Sequence, residues 1–251
     1  MIAILTDTTK CIGCLKCVAA CKEINKLGRE VPRIWHKDDG LSARNWTSII
    51  QKPDSHYVRK QCRHCLEPAC VQACPVGALH KTPEGAVIYD KGKCLGCRYC
   101  MMACPYGIPR YDWDQTVPYV QKCILCYSRI KDGVQPACTE ICPEKATIFG
   151  ERDELIKEAH RRIDENPARY INRVWGEYEV GGTSVLYISD IDLDFLAVKA
   201  DLGTKSLPST TELAMKSVPF AFVGMGAFMY GLNWVIKRRI KLQGENDEKE
   251  A

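Results

Sequence analysis

The sequence lacks a strong excess of either charge. Its 251 residues carry 35 lysines and arginines against 31 aspartates and glutamates, a formal net charge of +4. This near balance gives no reason to expect nucleic acid as a partner, because such binding draws on a concentrated basic surface. The N-terminus also lacks a basic segment before its short apolar run, residues 1–5, so we expect no signal peptide.

A catalytic constellation is missing as well. The 5 histidines are scattered, at positions 36, 56, 64, 80 and 160. We expect them to be surface residues or neighbours of a bound cofactor, and we predict no catalytic residue in this chain. His64 is the most informative, because it lies inside a cysteine-rich loop where its charge could tune a bound metal group.

Cysteine, by contrast, is abundant. The chain has 16 cysteines, all before position 143. Disulfide frameworks occur mainly in small secreted chains, and zinc sites use paired Cys-x2-Cys elements, often with histidine. Iron–sulfur clusters are also held by cysteine thiolates. The spacing of the cysteines must therefore decide among disulfides, zinc sites and iron–sulfur clusters.

The cysteines form four quartets that use every cysteine of the chain. Their patterns are, in order, C-x2-C-x2-C-x3-C, C-x2-C-x4-C-x3-C-P, C-x2-C-x2-C-x3-C-P and C-x2-C-x11-C-x3-C-P. The quartets are Cys11, Cys14, Cys17 and Cys21; Cys62, Cys65, Cys70 and Cys74; Cys94, Cys97, Cys100 and Cys104; and Cys123, Cys126, Cys138 and Cys142.

This spacing favours four [4Fe–4S] clusters. Three thiolates on a tight loop cap one face of a cubane, whereas the fourth cysteine points away and binds a second one. Glycines such as Gly13 and Gly96 let the backbone approach sulfur closely. Zinc has no need for that repeated fourth cysteine, so zinc and disulfides remain minor alternatives. Lys22 stands where the other quartets have proline, and we do not interpret it as loss of a cluster.

Local patterns predict the elements around the quartets. Residues 78–89 predict a strand, a Pro-Glu-Gly turn and a second strand, and residues 45–60 predict further strands. Apolar positions 155, 156, 159 and 163 share one face of a helix predicted over residues 153–165. A turn at 181–183 leads into a strand, and residues 203–211 are predicted to be a polar linker.

Residues 217–236 form an uncharged stretch of twenty residues. As a helix, such a stretch would cross about 30 Å of hydrocarbon. Tyr230 and Trp234 lie near its end, and basic residues follow at 237–241. We predict a single pass through the cell inner membrane, with a cytoplasmic C-terminus. The cluster domain would then be periplasmic, exported with a partner. The alternative is a buried helix of the globular domain.

The motifs resemble a known family over nearly the whole chain. Residues 62–70 (CRHCLEPAC), 104–110 (CPYGIPR) and 122–127 (KCILCY), together with the x4 and x11 variants, carry the resemblance. They resemble the four-cluster beta subunit of membrane-bound molybdenum/tungsten oxidoreductases. The C-terminal span and residues 181–183 look most like the formate dehydrogenase beta subunit and the related iron–sulfur subunit of [NiFe] hydrogenase.

The resemblance implies which cysteines share a cluster, because quartet one pairs with quartet four and quartet two with quartet three. We name the implied sets group A (Cys11, Cys14, Cys17, Cys142), group B (Cys21, Cys123, Cys126, Cys138), group C (Cys62, Cys65, Cys70, Cys104) and group D (Cys74, Cys94, Cys97, Cys100). Each group would hold one [4Fe–4S] cluster.

The implied fold class is α+β, with two ferredoxin-like modules. We expect a double ferredoxin-like domain over residues 1–150 and an extension over 151–211 that packs on it or on a partner. A transmembrane helix with its flanks follows over 212–241, and a charged tail over 242–251.

The leading interpretation of function is an electron relay without catalysis of its own. The resemblance implies a large catalytic subunit, with molybdenum/tungsten or nickel–iron, as one partner. A membrane cytochrome b or quinone-reactive subunit in the lipid bilayer is the other. A free-standing membrane polyferredoxin and a zinc-binding assembly scaffold are the alternatives.

Two sets of side chains carry secondary expectations. Cations beside the ligating cysteines could raise cluster potentials by favouring the more negative reduced state, or could simply be solvated. These cations are Lys16, Lys22, Arg63 and Arg98. The tryptophans expected in the core are Trp35, Trp46, Trp113 and Trp175.

Overall fold

The computed structural model describes the backbone of residues 1–28, 30–116, 118–199 and 201–250, and their side chains except 213 and 243–250. The chain divides into two units, Met1–Pro208 and Ser209–Ala251. All the cysteines lie in the first unit. The predicted charged tail, 242–251, falls almost wholly outside the residues whose side chains are described.

The first unit mixes short strands and short helices. The strands are β1 Ile2–Asp7, β2 Ile34–Trp35, β3 Thr47–Lys52, β4 His56–Gln61, β5 Leu79–Lys81, β6 Val87–Tyr89, β7 Arg110–Tyr111, β8 Val120–Gln121, β9 Thr147–Glu151 and β10 Val185–Ile188. The helices are α1 Lys16–Ile24, α2 Ala69–Gln72, α3 Tyr99–Ala103, α4 Tyr127–Lys131, α5 Ala137–Glu140 and α6 Arg152–Glu165.

A three-stranded sheet joins distant parts of the first unit. β1 lies in its centre, antiparallel to β9 and parallel to β10. Successive side chains of a strand face opposite sides. Ala3 and Leu5 accordingly pack with α6, whereas Ile4 packs on the cysteine side, near Leu125 and Cys138.

The local predictions in this unit are confirmed. The strands predicted within 45–60 are β3 and β4, an antiparallel pair, and the predicted hairpin is β5 and β6. The predicted helix is α6, and it buries Leu155, Ala159 and Ile163 on its inner face. The strand expected after the 181–183 turn is β10.

The second unit is dominated by one helix, α7, over Leu207–Glu250. Its segment Leu207–Leu242 is long and apolar enough to cross a membrane, and it is the one such helix among the residues described. The predicted linker over 203–211 is wrong from Leu207 onward, because the helix begins there. Pro208 is tolerated because residues in a first turn need no hydrogen-bonded N–H.

Candidate iron–sulfur sites

Each quartet opens with a Cys-x-x-Cys loop that turns through the left-handed region. The residue before the second cysteine has positive φ in all four loops: Gly13 (68°), His64 (48°), Gly96 (70°) and Leu125 (58°). This conformation costs a side chain about 1–2 kcal/mol. His64 and Leu125 are almost fully buried, so packing offsets that cost.

Backbone N–H groups in the Cys-x-x-Cys turns and after the fourth cysteine point at cysteine sulfur. Such N–H donors favour the thiolate and stabilise bound clusters. The donor–sulfur contacts are Ala78 to Cys74 at 3.2 Å, Gly96 to Cys94 at 3.4 Å, Leu125 to Cys123 at 3.4 Å and Ile108 to Cys104 at 3.5 Å. At Cys74, burial would raise the pKa, but the surrounding N–H groups outweigh it and the pKa is lowered.

Lys22 has a structural explanation. Proline disfavours helical backbone at the residue before it, and α2, α3 and α5 all end before the fourth cysteine of their quartets. α1 instead continues past Cys21 to Ile24. The Lys22 side chain is buried, and its Nζ donates to the carbonyl oxygen of Arg44 at 2.6 Å. The departure from proline therefore lengthens a helix and leaves the cysteines in place.

The β1–β9 pairing brings the first and fourth quartets together. β1 ends just before Cys11, and β9 begins just after Cys142, with Thr6 opposite Thr147. The four cysteines of group A line one cavity, whose empty volume including its mouth is about 440 Å³. The side chain of Arg59 lines the same cavity.

The cysteines of group B line a second cavity, of about 340 Å³. Helices α1 and α5, which carry Cys21 and Cys138, pack against each other here. Asn25 Nδ2 contacts Cys21 Sγ at 3.7 Å. All four sulfurs belong to buried residues.

The β5–β6 hairpin brings the second and third quartets together, because β5 follows Cys74 and β6 precedes Cys94. Burial raises the pKa of Cys65, and the neighbouring Cys104, Cys62 and Cys70 raise it further, so these four sulfurs lie together. The same holds for Cys100, whose pKa is raised by burial and by Cys94, Cys97 and Cys74. Side-chain packing also brings together Cys62, Cys65 and Cys104 of group C, and Cys74 and Cys100 of group D.

The donor set fits iron–sulfur clusters. Burial raises the pKa of Cys17 and of Cys70 to about 12, so such thiols ionise only when metal cations replace their protons. Thiolates are the ligands of cubane clusters. None of the cysteines forms a disulfide. Among the described residues, no three Cys, His, Asp or Glu side chains converge closely enough to hold a single metal ion.

Three buried or half-buried cations that sequence reasoning missed lie among the sulfurs. Arg59 of β4 is buried beside group A. Lys122 is buried, and its charge lowers the pKa of Cys70, opposing the larger effect of burial. Lys81 Nζ donates to the carbonyl oxygen of Cys65 at 2.6 Å. Arg59 lies in β4 and Lys81 in β5, so adjacency to a cysteine gave no signal for either, whereas Lys122 directly precedes Cys123.

The cations predicted from adjacency mostly have other contacts. Lys16 is exposed, and the Arg98 guanidinium stacks 4.5 Å from the ring centre of Trp113. Arg63 is buried, lies 4.0 Å from the ring centre of Tyr187 and donates to a backbone carbonyl. Trp113 is 58% exposed, so its expected place in the core is wrong.

His64 is buried and neutral. Its Nδ1 accepts the N–H of Val87 at 2.9 Å, and its Nε2 has no partner among the described residues. Burial lowers its pKa well below the ordinary value, and the charges of Lys122 and Lys81 lower it further. The expectation that His64 acts through its charge is therefore wrong.

The fold and the sulfur groups define the class: an iron–sulfur electron-transfer protein with four [4Fe–4S] clusters. Models of the 4Fe-4S dicluster domain match residues 10–79 and 53–152. A Nitratidesulfovibrio vulgaris protein is 41% identical over 253 residues, which cover 96% of this chain and 68% of the relative.

Two further relatives carry descriptive names. Hydrogenase-2 operon protein HybA of Escherichia coli O157:H7 is 37% identical over 78% of this chain and 72% of its own length. The B subunit of anaerobic dimethyl sulfoxide reductase from Escherichia coli K12 is 42% identical over 60% and 74%, respectively. The chain belongs to this 4Fe–4S dicluster family of oxidoreductase iron–sulfur subunits.

Proposed function

We propose that this chain relays single electrons through clusters held by groups A, B, C and D, in that order. One terminus of the relay is a large catalytic subunit of the formate dehydrogenase or hydrogenase type. The other is a membrane cytochrome b or quinone-reactive subunit. The linear succession of the four sulfur groups carries this proposal.

The order follows from sulfurs that lie close across neighbouring groups. Besides burial, Cys138 of group B raises the pKa of Cys17 of group A. Cys62 of group C likewise raises that of Cys123 of group B. Cys100 of group D adds to the effect of burial on the pKa of Cys70 of group C. The same pairs, Cys17 with Cys138, Cys62 with Cys123 and Cys70 with Cys100, also share packed side-chain clusters, and this proximity favours electron transfer along one path.

The groups at the two ends of this electron path, A and D, contain exposed cysteines. Cys14 of group A and Cys97 of group D are exposed, whereas every cysteine of group B is buried. A partner can therefore approach group A or group D, while groups B and C act as intermediates. This arrangement supports two docking sites, one for the electron donor and one for the acceptor.

An apolar surface near group D supports a docked partner. Leu95, Tyr99, Met102 and Trp113 flank the third quartet and are 67%, 61%, 84% and 58% exposed. Large exposed apolar side chains in one region mark interaction surfaces. We call these four residues the group D patch and assign it to one of the two partner subunits.

The apolar helix supports attachment to the inner membrane. Four of residues 237–241 are basic, which favours a cytoplasmic C-terminus and a periplasmic cluster domain. The names of two relatives refer to hydrogenase-2 and dimethyl sulfoxide reductase, and we propose a catalytic partner of comparable type. The division at residues 150, 211 and 241 belongs to the same proposal.

Purification from membranes tests this function. A tagged full chain should co-elute with a molybdenum/tungsten or nickel–iron subunit, and a chain truncated after Pro208 should leave the membrane fraction. Met102→Glu should weaken the association through the group D patch. Val31→Glu, at a residue that is 78% exposed outside the patch, is the matched control. A full iron complement with no co-eluting partner would favour the free-standing polyferredoxin.

A further inference from the structure

Arg59 is a buried arginine that pairs with no carboxylate among the described residues. Its side chain is 1% exposed, and its three guanidinium nitrogens have no hydrogen-bond partner within the described residues. A buried charge is stable only when an opposite charge or a hydrogen bond compensates its lost hydration. The compensation for the buried charge of Arg59 must therefore come from neighbouring groups other than carboxylates.

Arg59 lies beside the sulfurs of group A, and its charge also acts on group B. It lines the group A cavity, and its charge lowers the pKa of Cys17 in group A and of Cys21 in group B, in both cases against a larger effect of burial. Burial alone would lower the pKa of Arg59, but Cys138 and Cys17 outweigh it and the pKa is raised. The guanidinium thus lies at the group A cavity and is electrostatically coupled to Cys21 and Cys138 of group B.

We propose that Arg59 is a shared electrostatic partner of the clusters in groups A and B, and that it raises the reduction potentials of both. This proposal rests on the cysteine assignment given above. The guanidinium stays protonated, because an arginine is not deprotonated in proteins. It acts through its fixed positive charge.

The direction of the effect follows from charge. A cluster with four thiolate ligands is negative, and the single electron it accepts adds one more negative charge. A nearby buried cation stabilises the reduced state more than the oxidised one, and a low local dielectric strengthens the effect. Groups C and D have different cationic neighbours, such as Lys122 beside Cys70. Arg59 should therefore leave their potentials almost unchanged.

Redox titration of the purified complex, followed by electron paramagnetic resonance, tests this role. Arg59→Met should make reduction of two clusters about tenfold less favourable, which is about 59 mV for one electron. Arg59→Lys should retain most of the wild-type potentials. Arg161→Gln, at an exposed arginine on α6, should change none. Unchanged potentials in Arg59→Met, or an equal shift of all the clusters, would overturn the proposal.

A measurement on the wild-type chain covers the case in which Arg59→Met loses iron. The complex is prepared with nitrogen-15-labelled arginine and reduced. Pulsed electron paramagnetic resonance should then detect guanidinium nitrogen coupled to two clusters. The same coupling should persist in Arg63→Lys, which removes the other buried guanidinium near the cysteines. Absence of that coupling would refute the contact. Wild-type protein without its full iron content would instead refute the cluster assignment itself, so the two failures are distinguishable.

Discussion

Gly13 and Gly96 occupy the same position in two cysteine loops but differ in what a methyl group would meet. Their φ angles are 68° and 70°. A Cβ atom at Gly13 would lie 2.6, 2.7 and 2.9 Å from three carbon atoms of the Tyr57 ring. At Gly96 the nearest atom is the carbonyl oxygen of Pro118, at 3.5 Å. Alanine substitution at the two sites therefore separates backbone strain from steric overlap.

Both alanine variants carry the cost of a left-handed side chain, about 1–2 kcal/mol. Gly13→Ala also overpacks Tyr57, which adds about 1–3 kcal/mol. For a chain of this size, 1 kcal/mol lowers the melting midpoint by about 2–4 °C. We expect the midpoint to fall by about 2–8 °C in Gly96→Ala and by about 4–20 °C in Gly13→Ala. Anaerobic thermal unfolding, followed by the visible absorbance of the clusters, measures both.

A Tyr57→Ala background provides the control for the steric part. Removing the ring should reduce the cost of Gly13→Ala to that of Gly96→Ala, because only backbone strain then remains. Equal losses in the two single variants, or a Gly13→Ala loss that persists without Tyr57, would refute the steric reasoning.

Four other predictions concern single contacts and the metal. Tyr111 Oη lies 3.3 Å from Cys100 Sγ, so Tyr111→Phe should lower the potential of the group D cluster alone in a redox titration. An unchanged potential would contradict this. Asp7 is fully buried and pairs with Arg162 at 3.3 Å, so Asp7→Ala should cost about 3–5 kcal/mol in thermal unfolding, and a neutral effect would contradict the pairing. Burial would raise the pKa of Asp39, but a neighbouring lysine and arginine outweigh it and lower the pKa. The Asp39 carboxylate should therefore stabilise the fold above about pH 4, and this stabilisation should be lost as the pH falls further. In Asp39→Asn, thermal unfolding should show the same loss of stability already at neutral pH. Removing iron with a chelator should abolish the tertiary structure of residues 1–208 while α7 in detergent stays helical, as circular dichroism would show.

Local patterns predicted much of the fold. The quartets, the β5–β6 hairpin and α6 each depend on residues close in sequence, where spacing and periodicity are informative. The pairing of β10 with β1 was not predicted, because nothing local to either strand identifies a partner more than 170 residues away. The start of α7 at Leu207 was missed because a polar stretch with proline also fits a first helical turn.

The number of clusters was predictable from the sequence, but the electrostatics of the candidate sites were not. Cysteine spacing predicted four clusters, since cluster geometry constrains it, whereas the division into groups A to D came from the family resemblance and stays a prediction. The cations that face sulfur, above all Arg59, come from elements brought in by the fold. Lys22 and Arg98, which are adjacent to cysteines in sequence, instead contact a backbone carbonyl and Trp113. Adjacency in sequence does not determine which way a side chain points.

The most direct test of the four-cluster assignment is the content of iron and acid-labile sulfide in the anaerobically purified chain, combined with Mössbauer spectroscopy. We expect about sixteen irons and sixteen sulfides per chain, four of each per cubane, with spectra typical of [4Fe–4S] clusters. Little iron together with stoichiometric zinc would contradict the assignment.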